Sequence, residues 1–206
     1  MAAGLCSQAG ANEGDEVRHR RVTGLKGGIP VDEESYIGVL IIEKSVYLKP
    51  VGYATQDNSL GIPTFLRAMF RCGCTKVAID LEECRGMDST FLGVMADAAT
   101  NLPRHGDTSL VILNASEKNK KELGTVGLLP LLKIIEKPYH PPAGLDLQKV
   151  DFFHLPDSDT ERIKEIKRLH EELVNLNEKN KEQFGRFISM LEEELQEANS
   201  PDENAG

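Results

Sequence analysis

The stretch Lys76–Leu102, KVAIDLEECRGMDSTFLGVMADAATNL, constrains this chain more than any other. Val77, Ile79 and Leu81 are apolar and β-prone over a short run, which predicts a buried strand. Glu82 to Gly86 is charged and ends in glycine, so the chain is expected to turn there. Asp88 stands where a helix should start, and its carboxylate can accept the free N–H groups of Thr90 or Phe91. Leu92, Met95, Ala98, Ala99 and Leu102 then recur at helical spacing and make one apolar face. Ser89 becomes the first helical residue, at the C-terminal edge of the strand and beside the positive end of the helix dipole. Opposite the apolar stripe lie Ser89, Gly93, Ala96, Asp97 and Thr100. These are mostly small, so another backbone can approach closely.

The rest of the chain supplies a setting for this unit. At 206 residues and 40% hydrophobic, it can bury one real core plus extensions, and 5% aromatics with no Trp make that core aliphatic. A net charge of −9 argues against nucleic acid or an anionic membrane as the main partner. No apolar run reaches the ~18 residues of a membrane span, and the start MAAGLCSQAGANEGDEV lacks the pattern of a signal peptide. A cytoplasmic protein is expected. Cys6, Cys72, Cys74 and Cys84 form no CxxC pair, and Cys72-Gly73-Cys74 reads as a helix end with reduced thiols. No general base stands at motif spacing to activate either thiol. The histidines at 19, 105, 140, 154 and 170 are scattered singly and read as surface residues. No metal, no cofactor and no enzymatic activity are expected.

Residues 1–34 read as a disordered leader, with a basic cluster at Arg18-His19-Arg20-Arg21. YIGVLIIE from Tyr36 predicts a strand, Lys44-Ser45 a turn, and VYLKPVGY its hairpin partner, with Pro50 preferring an edge or bulge. Asn58 or Ser59 is expected to cap a helix striped by Leu60, Phe65, Leu66, Met69 and Phe70, with Pro63 in its first turn and Gly73 at its end. SLVILN from Ser109 predicts another strand, Ser116 opens a charged helix, and KIIEK follows as a last strand. Alternating helical and strand patterns after an initial hairpin predict an α/β layer, mostly parallel with one antiparallel pair. Residues 138–157, opening on Pro138-Tyr139-His140-Pro141-Pro142, read as a stiff linker, in which Val150 to Leu155 adds a strand or covers the sheet edge.

The tail differs in kind. Ser158-Asp159-Thr160-Glu161 is a capping box, and a long helix or coiled-coil segment is expected over 158–199, before a disordered end at 200–206. Ile166, Leu169, Leu173 and Leu176 keep heptad spacing, after which Asn180 and Gln183 turn the seam polar. Phe184, Phe187, Ile188, Leu191 and Leu195 continue on a shifted stripe. A break near Asn180–Gly185 would allow a hairpin. From Asp157 onward 14 acidic residues stand against 7 basic ones, so most of the net negative charge is here. Such a helix either packs on its own domain or pairs with another chain, giving a homo-oligomer.

At AIDLEECRGMDSTFLG the sequence resembles the STAS family, which comprises sulfate-transporter C-terminal domains and bacterial anti-sigma factor antagonists. GDTSLVILNAS and ELGTVGLLPLLKI resemble the family's next strand, leucine-rich helix and final strand, and VYLKPVGY an earlier one, so the likeness covers 35–137. The resemblance implies a mixed four- to five-stranded sheet with helices packed on it, here followed by a long C-terminal helical tail. It implies a phosphoprotein of signal transduction and transcription regulation, with Ser89 as phosphoacceptor and a serine-kinase anti-sigma factor or related regulator as partner. Asp88, Thr90, Phe91, Gly93, Ala96 and Asp97 are the expected partner-binding residues. The sequence departs from the family in carrying Phe91 for a glycine and Thr55 where an aspartate is frequent. The alternative is an adaptor that is not phosphorylated and assembles a signalling complex through its acidic helical tail.

Overall fold

The computed structural model describes residues 35–103, 110–141, 146–150, 152 and 157–199. The expected leader at 1–34 and end at 200–206 lie outside them, as do most of the expected turn after Leu102 and of the stretch 151–156. The chain is α/β. Strands β1 (Tyr36–Ile42), β2 (Ser45–Ala54), β3 (Lys76–Asp80), β4 (Cys84–Met87), β5 (Leu110–Leu113), β6 (Lys133–Ile135) and β7 (Gln148–Val150) form one mixed sheet. Its order is β6-β5-β3-β2-β1-β7, with β4 beside the far half of β2. The helices are α1 (Gln56–Ser59), α2 (Ile62–Arg71), α3 (Ser89–Asn101), α4 (Glu117–Thr125), α5 (Asp159–Val174) and α6 (Glu178–Asn199).

The initial pair is antiparallel, with Ile42 opposite Ser45, so the tight turn is Glu43–Lys44, one residue earlier than expected. Glu43 takes the positive φ of 53° there. β2 then runs parallel to β3, β3 to β5, and β5 to β6. The sheet has seven strands rather than four or five. One addition is β4, which lies in the stretch expected to be only a turn and pairs with Gly52–Ala54 of β2. The other is β7, inside the stretch read as a linker, which pairs antiparallel with Ile37–Val39 of β1. On that side of β2, β3 pairs as far as Leu48 and β4 begins at Gly52. Pro50 falls in the gap, where no ladder on that side asks for its missing N–H.

The core is aliphatic. Ile37, Val39, Val46, Leu48, Val77, Ile79 and Ile112 of the sheet meet Ile62 and Leu66 of α2 and Leu92 and Met95 of α3. The first helix is split: Thr55, not Asn58 or Ser59, precedes α1, and Gly61 precedes α2 with Pro63 in its first turn. Past Cys72, Gly73 takes a φ of +97°, which ends α2 at no steric cost. Asp80, at the end of β3 and fully buried, accepts hydrogen bonds from the Tyr47 hydroxyl, Asn114 Nδ2 and the Glu82 N–H. Asn114 also exchanges bonds with the Tyr139 backbone, at 2.8 and 2.9 Å. The exit segment is thereby tied to the edge of the sheet that carries α3.

The tail is a hairpin of two helices packed on this domain. Ser158 caps α5 by accepting from the Glu161 N–H at 3.3 Å. The break falls at Asn175–Asn177, earlier than Asn180–Gly185. Asn180 is fully buried rather than placed on a polar seam, and its Nδ2 donates to the carbonyls of Val126 (2.9 Å) and Leu173 (2.7 Å). Asn177 Nδ2 reaches the same Val126 carbonyl at 3.2 Å. The helix turn is thus fastened to the loop after α4. Among the described residues, no helix is long and apolar enough to cross a membrane.

Candidate functional site

Asp88 positions the site. It caps α3 by accepting from the Phe91 N–H at 2.8 Å through Oδ1, and its Oδ2 accepts from the Gln56 N–H at 2.8 Å. One carboxylate therefore holds the starts of both α1 and α3, which suits an anion at two positive helix ends. Burial raises its pKa, opposed by these backbone donors. Ser89 follows as the first residue of α3, half-buried.

The ring of His170 on α5 meets Ser89. His170 Nε2 lies 2.9 Å from Ser89 Oγ, and Nδ1 lies 2.8 Å from the Ile166 carbonyl. A carbonyl can only accept, so Nδ1 carries the hydrogen. Nε2 of the neutral ring then accepts, and the Ser89 hydroxyl donates. The ring is 1% exposed, packed against Phe184 and Phe187 of α6 with centroids 5.6 and 4.7 Å away. Burial lowers its pKa.

One turn further along α3, Gly93 touches the α5 backbone. A Cβ there would stand 2.5 Å from the Leu169 carbonyl oxygen and 2.9 Å from its carbon. Asp97, a further turn on, pairs with Arg168 at 2.6 Å and with Arg67 of α2 at 3.6 Å. Arg168 is also held by Glu165 at 2.7 Å, and the Glu165 carboxylate, with Asp97 behind it in weight, pushes its pKa still higher against the effect of burial. Glu172 accepts from Thr100 and Asn101 at the end of α3. These contacts span α3 from Ser89 to Asn101 but gather on Arg168–Glu172, about one turn of α5. The helices therefore cross, with the glycine at the point of closest approach.

The structure brings together Ser89, Gly93, Ala96 and Asp97, all along the side of α3 that α5 covers, and buries all but Ser89. Three other expected partner-binding residues have internal duties. Asp88 caps, Thr90 is buried, and the Phe91 ring is 1% exposed in the core cluster. The bulky ring that replaces the family glycine therefore turns inward. Thr55, in the position of the frequent aspartate, is buried ahead of α1, its N–H donating to Asn58 Oδ1 at 2.9 Å.

Sequence reasoning missed His170, Arg168 and Glu172. The signal for His170 was present: four residues after Ile166 and three before Leu173, it shares their buried stripe. Chemically, a serine hydroxyl facing a neutral imidazole is a nucleophile facing a base. Here α5 closes that side of the hydroxyl, so the arrangement joins two helices. Among the described residues, no group of three or more His, Cys, Asp or Glu is placed to hold a metal ion. No family model matches the chain, and no curated protein matches it.

Proposed function

We propose that this chain is a cytoplasmic regulatory binding protein, similar in design to the anti-sigma factor antagonists. In this reading it docks a serine-kinase anti-sigma factor or related regulator through α3, and phosphorylation of Ser89 switches it. It is a binding module and not an enzyme. The observation that carries the reading is the close approach at Gly93, where a helix backbone lies so near the small face of α3 that a Cβ would stand 2.5 Å from the Leu169 carbonyl oxygen. A face that takes a helix this closely suits protein docking, and Ser89 sits at its upper end. A phosphate there meets the positive dipole end of α3, although the Phe91 and Leu92 N–H groups are already taken by Asp88. A partner that covers that dianion with no Arg or Lys opposite must desolvate it, which costs several kcal/mol, about tenfold in affinity for each ~1.4 kcal/mol.

The test is a pull-down with wild type, Ser89→Ala and Ser89→Asp, read by mass spectrometry, together with phosphopeptide mapping of the protein from its own cells. Wild type and Ser89→Ala should recover a kinase-containing partner, Ser89→Asp should lose it, and Ser89 should carry phosphate. Equal recovery by all three, with no phosphate on Ser89, overturns the switch and favours the adaptor reading.

A further inference from the structure

We propose that the α5–α6 hairpin is a built-in occupant of the α3 docking face, and that a phosphate on Ser89 expels it. This rests on the reading of Ser89 as phosphoacceptor. In the observed arrangement the face expected to meet a partner is already filled by the chain's own helix, from Ser89–His170 through Gly93–Leu169 to Asp97–Arg168. A partner must therefore displace α5 before it can dock, and its affinity is reduced by the fraction of molecules that are closed.

The phosphate cannot join this interface. Only 2.9 Å separate Ser89 Oγ from His170 Nε2, and a phosphoryl group brings three further oxygens into that space. The imidazole is 1% exposed and packed against Phe184 and Phe187, so it can move only if those rings move with it. Nor can the helices part at Ser89 alone, because backbone contact at Gly93 is one turn away. Electrostatics act in the same direction. Asp88 stands beside Ser89 on α3, and α5 presents Glu165 and Glu172 with Arg168. That arginine is engaged by Asp97, Glu165 and Glu172. In the unmodified chain the one N–H of His170 is given to Ile166, so pairing with the phosphate would require this buried ring to take up a proton. The dianion is covalently fixed to Ser89 at the positive end of the α3 dipole, so it stays with α3 and α5 leaves.

Expulsion uncovers two surfaces at once: the small face of α3, and the seam of Leu169 and Leu173, both fully buried in the closed form. Phosphorylation would then do more than repel a partner at Ser89.

The experiment uses the full chain with phosphoserine installed at position 89 during synthesis, and compares hydrogen exchange with unmodified protein and with Ser89→Ala. In the phosphorylated chain, amides of α5 and α6 should exchange faster by about tenfold or more, while those of β3 and β5 are unchanged. Ser89→Ala should keep the hairpin protected, since it removes one hydroxyl and adds no bulk or charge. Unchanged hairpin protection in the phosphorylated chain overturns the proposal. So does equal release in Ser89→Ala, or loss of protection in β3 and β5, which would make Ser89 a residue of the fold. Because the phosphate is installed directly, the result does not depend on a cellular kinase or partner. Failure of the functional reading would appear in the pull-down and phosphopeptide map instead.

Discussion

Ser89 and His170 share a hydrogen bond of 2.9 Å across 81 residues of sequence. The serine opens the helix that follows the central strand, and the histidine belongs to a tail of different composition. Their contact makes the tail part of the site. It also explains why α3, with one apolar stripe, is buried on nearly every side from Thr90 to Ala98. The sheet covers one side and α5 the other.

Gly93→Ala should destabilise the protein although it improves helix propensity. In an exposed helix the change is worth about 1 kcal/mol in favour of Ala. Here the new Cβ meets backbone atoms of Leu169 at 2.5 and 2.9 Å, which cannot rotate aside. Overpacking of this kind costs about 1–3 kcal/mol and should win. Gly185→Ala on α6 is the control, because nothing lies within 4 Å of its Cβ. It should stabilise by roughly 0.5–1 kcal/mol. Urea midpoints of both variants check this, and a Gly93→Ala variant as stable as Gly185→Ala would show that α5 does not sit on α3.

Asp97 and Arg168 should be coupled. The Asp97 side chain is 5% exposed and Arg168 32%, so the pair is neither a surface bridge nor a fully buried one. Asp97→Ala strands Arg168 with Glu165 and Glu172, whereas Arg168→Ala leaves Asp97 with Arg67 at 3.6 Å. A double-mutant cycle with alanine at both positions should give a coupling of about 1–2 kcal/mol. A coupling near zero would remove this pair from the forces that hold the hairpin.

Hairpin docking should weaken in mild acid. Burial holds the pKa of His170 below its ordinary 6.5, so the unfolded chain takes up a proton that the folded chain resists. Its contribution is therefore complete above about pH 6.5 and is lost as pH falls below it, by at most about 1.4 kcal/mol per unit. The groups facing the ring are the Ser89 hydroxyl, the Ile166 carbonyl, Phe184 and Phe187, with the Asp88 carboxylate one residue from Ser89. Asp88, whose pKa is raised by burial, acts in the opposite sense and at lower pH. Urea unfolding between pH 7 and 5.5 should show stability falling in wild type and less so in His170→Gln. Parallel pH profiles for the two proteins would contradict the assignment.

Asn180→Leu should loosen the hairpin turn. The side chain fits a buried position in size, but the Val126 carbonyl keeps only Asn177, at 3.2 Å, and the Leu173 carbonyl loses the amide. Both carbonyls keep one donor, Asn177 for Val126 and the Leu176 N–H for Leu173, so the cost is that of two lost hydrogen bonds, about 1 kcal/mol each, offset in part by removing the unpaired Asn180 Oδ1. Chemical denaturation should register that loss, together with faster amide exchange at the start of α6. A variant as stable as wild type would mean that the Asn180 amide carries no net weight.

Much of the architecture was legible locally. Val77 and Ile79 announced β3, Asp88 announced the start of α3, and Ser158 announced the start of α5, because period and capping depend on neighbours a few residues away. The small face of Ser89, Gly93, Ala96 and Asp97 was legible too, as a surface made for close approach. The strands β4 and β7 were not. At four and three residues they carry no periodic signal, and they exist because β2 and β1 offer them an edge.

What covers the small face was decided only by tertiary structure. Sequence spacing put Ile166, Leu169 and Leu173 on one stripe and left open whether that stripe met its own domain or another chain. Spacing defines a face, but any apolar face of similar width could match it. The choice was made by shape and charge at single points far apart in the chain: Leu169 backbone over Gly93, Arg168 against Asp97, and Asn180 against the Val126 carbonyl. Those complementarities form only once β3, α3 and the loop after α4 are already in place, so no local pattern could announce them.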